Sequence, residues 1–222
     1  MNARALNSAY SNLRAEMVEA QLRARGIQDG RVLNAMARVP RHEFTPEPYR
    51  EQAYEDHPLP IGEGQTISQP YIVAVMLDAL VVKASEKVLE IGTGSGYVTA
   101  LLAELGARVV SIERHASLAD AARQLLSGMG YRNVKVITGD GSSGFAEDAP
   151  YDKIIVSAAA PQLPQALIDQ LAEGGRMIVP VGGEDGQQLQ LIEMRDGQPY
   201  TILRELCRFV PLISDGTAPP EP

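Results

Sequence analysis

The chain has 222 residues, 45% of them hydrophobic and 22% charged, which suits one large globular domain that needs no disulfide or metal as a staple. Twenty basic against 28 acidic residues give a net charge of −8, which weighs against nucleic acid as the main partner. Cys207 is the only cysteine, so no internal disulfide is possible, as expected for a reducing compartment.

The start, Met1 to Glu16, carries Arg4, Arg14 and Glu16 and no apolar h-region, so no signal peptide is expected. The spacing predicts a helix over 7–25, with Leu13, Met17, Ala20 and Leu22 near one face and Gly26 as its cap. Asp29 starts a second helix, with Val32, Leu33, Met36 and Val39 apolar, and Pro40 stops it. Residues 40–66, rich in proline and glycine, read as an irregular connection. A third helix runs from Gln69 or Pro70 to Val81. The longest apolar run, Tyr71 to Val82, contains Asp78 and is too short to span a bilayer, so neither a membrane partner nor a location outside the cytoplasm is expected.

Strand and helix then alternate. Strands are predicted over 87–91, 108–112, 134–138, 151–157 and 176–181, and helices over 97–105, 117–129 and 164–173. Residues 187–195 alternate like a half-exposed strand with Leu189, Leu191 and Glu193 in phase. Asp196-Gly197 is a hairpin turn signal, and 200–212 reads as a long strand. The expected fold is α/β: a Rossmann-like, doubly wound, mostly parallel sheet with a C-terminal antiparallel hairpin and an N-terminal helical extension. Residues 1–68 would form the extension, 69–214 the core, and 215–222 a disordered tail.

The stretch Val88-Leu89-Glu90-Ile91-Gly92-Thr93-Gly94-Ser95-Gly96-Tyr97 is a strand running into a glycine turn and a helix, the context of a nucleoside-binding site. The dinucleotide pattern G-x-G-x-x-G puts its third glycine at position 97, where this chain has Tyr97; Gly96 comes one residue early. NAD and FAD are therefore disfavoured, and S-adenosylmethionine, which has no pyrophosphate, is the better fit. Glu113 ends the next strand, where a carboxylate can accept from both ribose hydroxyls. Asp140-Gly141 ends the third strand at the same sheet edge, where Asp140 can accept from an adenine amino group. Ser68, in Gly64-Gln65-Thr66-Ile67-Ser68-Gln69-Pro70, either caps the following helix or offers its hydroxyl to a substrate carboxylate; composition does not separate the two.

These segments, in order, resemble the protein-L-isoaspartate O-methyltransferase family over roughly Ala5 to Ser214. The match includes Asp29-x-x-Val32-Leu33-x-Ala35-Met36-x-x-Val39-Pro40-Arg41-x-x-Phe44, Tyr54-x-Asp56-x-Pro58-Leu59-Pro60-Ile61-Gly62, the Thr66 to Pro70 segment and the glycine turn. It continues through Ala158-Ala159-Ala160-Pro161, Gly174 to Gly182, and Arg208-Phe209-Val210-Pro211-Leu212. The resemblance implies methyl transfer from S-adenosylmethionine to the α-carboxylate of L-isoaspartyl residues in aged peptides and proteins; separately, a monomer is expected. It places Gln65, Thr66, Ile67, Ser68, Glu90, Gly92, Gly94, Glu113, Asp140 and Gly141 at the cofactor. Ser68 would also orient the substrate carboxylate, as the one catalytic residue. Ala159, Pro161, Val179 and Val181 would contact the peptide, with 208–212 covering the site.

Three other readings compete: a methyltransferase acting on a small molecule or RNA, an NAD-dependent oxidoreductase, and a non-catalytic binding module. His42, His57 and His115 lack ligand spacing, and no metal is expected. Tyr97 reads as packing at a helix start and Cys207 as core. Glu147-Asp148 and Glu184-Asp185 read as solvated loops.

Overall fold

The computed structural model describes residues 3–183 and 185–214; the expected tail and Glu184 lie outside them. Seven strands form one sheet in the order β5-β4-β3-β6-β7-β8-β9, from β3 (Lys87–Ile91), β4 (Arg108–Glu113), β5 (Val134–Thr138), β6 (Tyr151–Val156), β7 (Leu171–Gly183), β8 (Gly186–Arg195) and β9 (Gln198–Cys207). The first five pair parallel, and β8 and β9 add an antiparallel hairpin. Apolar runs such as Lys87–Ile91 suit parallel strands covered on both faces. Helices α4 (Tyr97–Glu104) and α5 (Ala116–Gly128) make the crossovers between β3, β4 and β5. The chain winds outward from β3 through β4 to β5 and later returns beside β3 as β6, so a switch point opens at the C-terminal ends of β3 and β6.

The N-terminal part is helical but not uniform. Helix α1 (Ala3–Glu16) passes into a wider π turn at Met17–Leu22 and a 3₁₀ turn at Arg23–Arg25, which Gly26 ends at φ 97°. Tyr10, Met17, Val18 and Leu22 are buried, while Leu13 and Ala20, expected on that face, are exposed. The π turn shifts the angular phase after residue 16, which a strict 3.6 period misses. Helix α2 (Gly30–Arg38) is capped by the Asp29 carboxylate accepting from the Arg31 N–H, and Val39 turns extended before Pro40.

The proline-rich connection contains more structure than expected: two 3₁₀ turns, Arg41–Phe44 and Glu47–Gln52, and a hairpin of β1 (Leu59–Gly62) and β2 (Gln65–Ile67). Glu63 and Gly64, both at positive φ, make its two-residue turn. Helix α3 (Pro70–Leu80) follows, ending on Val81 in the left-handed region. Extension and core share one hydrophobic cluster, in which Met36, Leu77, Leu101 and Leu189 are all buried.

Two boundaries differ from expectation. The helix after Pro164 is only Gln165–Ile168, α6, and β7 begins at Leu171, opposite Tyr151, well before residue 176. Gly174 sits at positive φ, and a side chain on Gly175 would meet the Ala172 and Asp152 carbonyls, so this pair continues an irregular strand rather than a helix. The final strand stops at Cys207; beyond it Pro211 makes an isolated bridge to Ala159.

Candidate active site

The glycine turn forms as its chemistry requires. Gly92, Gly94 and Gly96 have φ of 90°, 53° and 88°, the left-handed region that L side chains avoid. A side chain on Gly94 would also approach Ile61 of the β1–β2 hairpin at 3.3 Å. The turn is tied to β4: Gly92 N–H donates to the Ile112 carbonyl at 2.8 Å, and Gly94 N–H donates to Glu113 Oε2 at 2.9 Å. The other oxygen, Glu113 Oε1, accepts from His115 N–H at 2.9 Å. A carboxylate has about four lone-pair sites, so Glu113 retains acceptors for a ligand.

A cavity with about 820 Å³ of non-atom space, part of it open to solvent, lies against this turn. The sequence-predicted residues Gln65, Thr66, Ile67, Ser68, Gly92, Gly94, Glu113 and Gly141 all line it. Ile91, Thr93, Tyr97, Ile112, Arg114, His115 and Ser157 do so as well, together with the 210–213 segment. That segment is held by Ala159 N–H donating to Val210, Leu212 N–H donating to Ala159, and Arg114 donating to Ile213. Tyr97 is thus both packed at the helix start and part of the cavity wall. His115, considered in the sequence only as a metal ligand, belongs to the same wall. Its position two residues after Glu113, at the same sheet edge, was the available signal.

Two predicted cofactor residues are not on the wall. Glu90 is fully buried beneath the turn, where its Oε2 accepts from the Thr99 hydroxyl of α4 at 2.5 Å and Oε1 has no hydrogen-bond partner. Burial pushes its carboxyl up to about 7, opposed by the nearby Ser111 and Thr99 hydroxyls, with the Glu113 charge adding to the rise. Glu90 therefore braces the turn from below. Asp140 is next to the lining residue Gly141, and its Oδ1 accepts from Ser142 N–H at 2.8 Å. A side chain on Gly141 would meet Ile91 at 2.8 Å, so only glycine lets this loop close on the cavity.

Beside this cavity lies a second, wider one with about 1360 Å³ of non-atom space, bounded by Pro58, Gln69, Ile72 and residues 206–210. Thr66, Ser68, Ser157 and Val210 line both. Ser68 stands at the junction. It does not cap α3: Asp56 does, its Oδ1 accepting from Tyr71 N–H at 3.2 Å and its Oδ2 from the Gln69 side chain at 2.8 Å. Of the predicted peptide contacts, Val179 is fully buried in the sheet and Ala159 nearly so, and neither lines a cavity; Pro161 is exposed and Val181 half-buried. The backbone of Ala160 is already used, donating to Pro180 and accepting from Gly182.

Among the described residues no group of three or more His, Cys, Asp or Glu is placed to hold a metal, and no helix is long and apolar enough to cross a membrane. Burial raises the Cys207 thiol to about 11, against a reactive role.

A glycine turn, an acceptor at the end of the neighbouring strand and a second cavity sharing Thr66, Ser68, Ser157 and Val210 with the first are the parts of a group-transfer site. The model of the family described as protein-L-isoaspartate(D-aspartate) O-methyltransferase matches residues 12–217. The chain belongs to this family. It is 56% identical over 202 residues to a protein-L-isoaspartate O-methyltransferase of Koribacter versatilis, covering 91% of each chain. A Methanoculleus marisnigri relative of the same name is 57% identical over 201 residues, covering 90% of this chain and 91% of the relative. Among solved structures, a protein-L-isoaspartate O-methyltransferase superposes with TM-score 0.83 at 30% identity, over 91% of this chain and 66% of that one. A Plasmodium falciparum member in complex with S-adenosyl-L-homocysteine superposes with TM-score 0.80 at 29% identity, over 90% of this chain and 98% of that one. The cofactor of the family, S-adenosylmethionine, fits the residues present: positive-φ glycines that clear a ligand, and the Glu113 carboxylate facing the cavity.

Two outcomes are expected. Glu113→Ala removes a charged acceptor and frees the Gly94 N–H of the turn and the His115 N–H after β4, so S-adenosylhomocysteine binding weakens by about 1.5–3 kcal/mol in calorimetric titration. Glu90→Gln changes the pH dependence of stability. Glu90 has a folded pKa raised above its unfolded value, so its contribution is complete below the unfolded value of 4.5 and is lost as pH rises through about 7. Urea unfolding will show the wild type losing stability relative to Glu90→Gln between pH 4.5 and 8; parallel profiles contradict this.

Proposed function

We propose that the chain methylates the α-carboxylate of L-isoaspartyl residues in damaged peptides and proteins, with the acceptor in the second cavity and Ser68 between it and the cofactor. The observation that carries this reading is the junction: Thr66 and Ser68 line both cavities. Bound S-adenosylmethionine supplies a methyl group activated by positive sulfur. Glu113 receives the ribose hydroxyls, Gly92 and Gly94 clear the backbone away, and Gln65, Thr66 and Ile67 flank the ligand. We assign Asp140, beside the lining residue Gly141, to the adenine amino group.

The acceptor is an anion near neutral pH, so no general base is needed. The Ser68 hydroxyl donates to one carboxylate oxygen and leaves the other aimed at the methyl group. Alignment and exclusion of water supply the rate. The 210–213 segment, pinned by Ala159 and Arg114, forms one wall of the first cavity. The resulting methyl ester has a better leaving group than a carboxylate. The next backbone nitrogen attacks this ester, its proton leaves with methoxide as methanol, and hydrolysis of the resulting succinimide returns part of the chain to normal aspartate.

Pro161 and Val181 remain exposed or half-buried and are available to the peptide. Ala159 acts through the fold instead, pairing with 210–212, and Val179 is buried in the sheet opposite Gln190. The net charge of −8 favours protein over nucleic acid as acceptor. The absence of any cysteine pair accords with a cytoplasmic enzyme, which we take to act as a monomer.

With labelled S-adenosylmethionine and matched peptides, the isoaspartyl form takes up label and the aspartyl form does not; equal labelling of both, or of neither, contradicts the proposal. Ser68→Ala keeps S-adenosylhomocysteine affinity within a few-fold and lowers kcat by roughly tenfold or more, the scale of a hydrogen bond to a charged group. Loss of cofactor affinity at unchanged kcat contradicts the role given to Ser68.

A further inference from the structure

Ser68 and Gln69 fall between regular elements: β2 ends at Ile67 and α3 begins at Pro70. No ladder fixes the peptide plane that aims the Ser68 hydroxyl. The side chain that reaches it comes from the extension. Arg41 is fully buried, its Nε donating to the Ala53 carbonyl at 2.7 Å and its Nη2 donating to the Ser68 carbonyl at 2.8 Å. Its guanidinium carbon lies 4.9 Å from the centroid of the Tyr97 ring, and Tyr97, also fully buried, lines the cofactor cavity.

Burying a guanidinium is costly, and desolvation lowers its pKa. A site that needed only volume at this position would be filled more cheaply by methionine or leucine. What arginine adds is a rigid fork that spans two carbonyls at once and a flat face for an aromatic ring. From the other side, Asp56 holds the Gln69 side chain and the Tyr71 N–H, so the Ser68–Gln69 step is gripped by two residues of the extension.

We propose that Arg41 is a positioning residue: by holding the Ser68 carbonyl and the Tyr97 ring together, it sets the direction of the Ser68 hydroxyl relative to the cofactor cavity. This makes the 3₁₀ turn after α2, 27 residues before Ser68, a working part of the transfer site. The assignment rests on the role given to Ser68 above.

The test is a double-mutant cycle on the full chain. It uses kcat and KM for an isoaspartyl peptide and the affinity for S-adenosylhomocysteine, measured for wild type, Arg41→Lys, Ser68→Ala and the double variant. Lysine keeps the charge and most of the length, but one ammonium does not span both carbonyls. The expected result is a kcat lowered about tenfold or more by Arg41→Lys, with S-adenosylhomocysteine affinity held within about threefold. In the Ser68→Ala background the same change lowers kcat less than about threefold, because residues acting as a unit are not additive. Equal losses in both backgrounds, an unchanged kcat, or a loss confined to S-adenosylhomocysteine affinity overturns the assignment. Should Arg41→Lys not fold, Arg41→Gln goes through the same cycle, and loss of the fold in both makes Arg41 structural and overturns it too. A wild type that fails to methylate the isoaspartyl peptide overturns the functional reading first, independently of any Arg41 variant, and this assignment with it.

Discussion

The Glu113 carboxylate is the tie on which the site depends. It ends β4, yet it holds the turn that follows β3, through Gly94, and the start of the next loop, through His115. Both bonds are charge-assisted and lie on a nearly buried carboxylate, where a hydrogen bond is stronger than in water. They fix the glycine turn in its positive-φ path and leave free lone pairs toward the cavity. The parallel register of β3 and β4 brings this pair together, with Ile91 opposite Ile112 at the strand ends. The binding geometry is thus a consequence of sheet topology. A one-residue slip between the two strands would separate carboxylate from turn.

The sheet edge alone gives a cofactor site common to many methyltransferases; the acceptor side is built by chain outside it. The β1–β2 hairpin packs Ile61 against Gly94 and brings Thr66 and Ser68 to the junction. The 206–213 segment forms the opposite wall, held to β8 by a reciprocal pair in which Gln187 bonds the Phe209 carbonyl and N–H. Neither wall stands as an independent unit. The 206–213 segment depends on long-range bonds to the sheet, and the hairpin on packing of Ile61 beside Gly94 and on Glu63 accepting from the Ser117 hydroxyl of α5.

Local order was legible in the sequence wherever one strong local signal decided it. The strands at 87–91 and 134–138 and the turn at Asp196-Gly197 stand where their residues place them, because apolar runs and glycine chemistry act within a few residues. The first two glycines of the turn, Glu113 and the 65–68 segment line one cavity, but sheet register brings Glu113 to the turn, and the 65–68 segment is expected at the cofactor only from the family resemblance. Features set by distant partners were hidden. Asp56 rather than Ser68 caps α3 from 15 residues away, which no capping pattern describes. Glu90 resembles a ligand contact in sequence but points beneath the turn to Thr99. The hairpin at 59–67 lay inside a stretch that proline and glycine made look irregular. The short α6 reflects a glycine pair that joins a strand instead of ending a helix.

The central claim is that two cavities meeting at Ser68 hold cofactor and acceptor face to face. A crystal structure of the chain with S-adenosylhomocysteine and an isoaspartyl peptide tests it most directly. The account predicts ribose hydroxyls bonded to Glu113, the sulfur facing the junction, and the peptide α-carboxylate within hydrogen-bond reach of the Ser68 hydroxyl. A nucleoside bound away from Glu113, or a peptide carboxylate seated outside the second cavity, would contradict it.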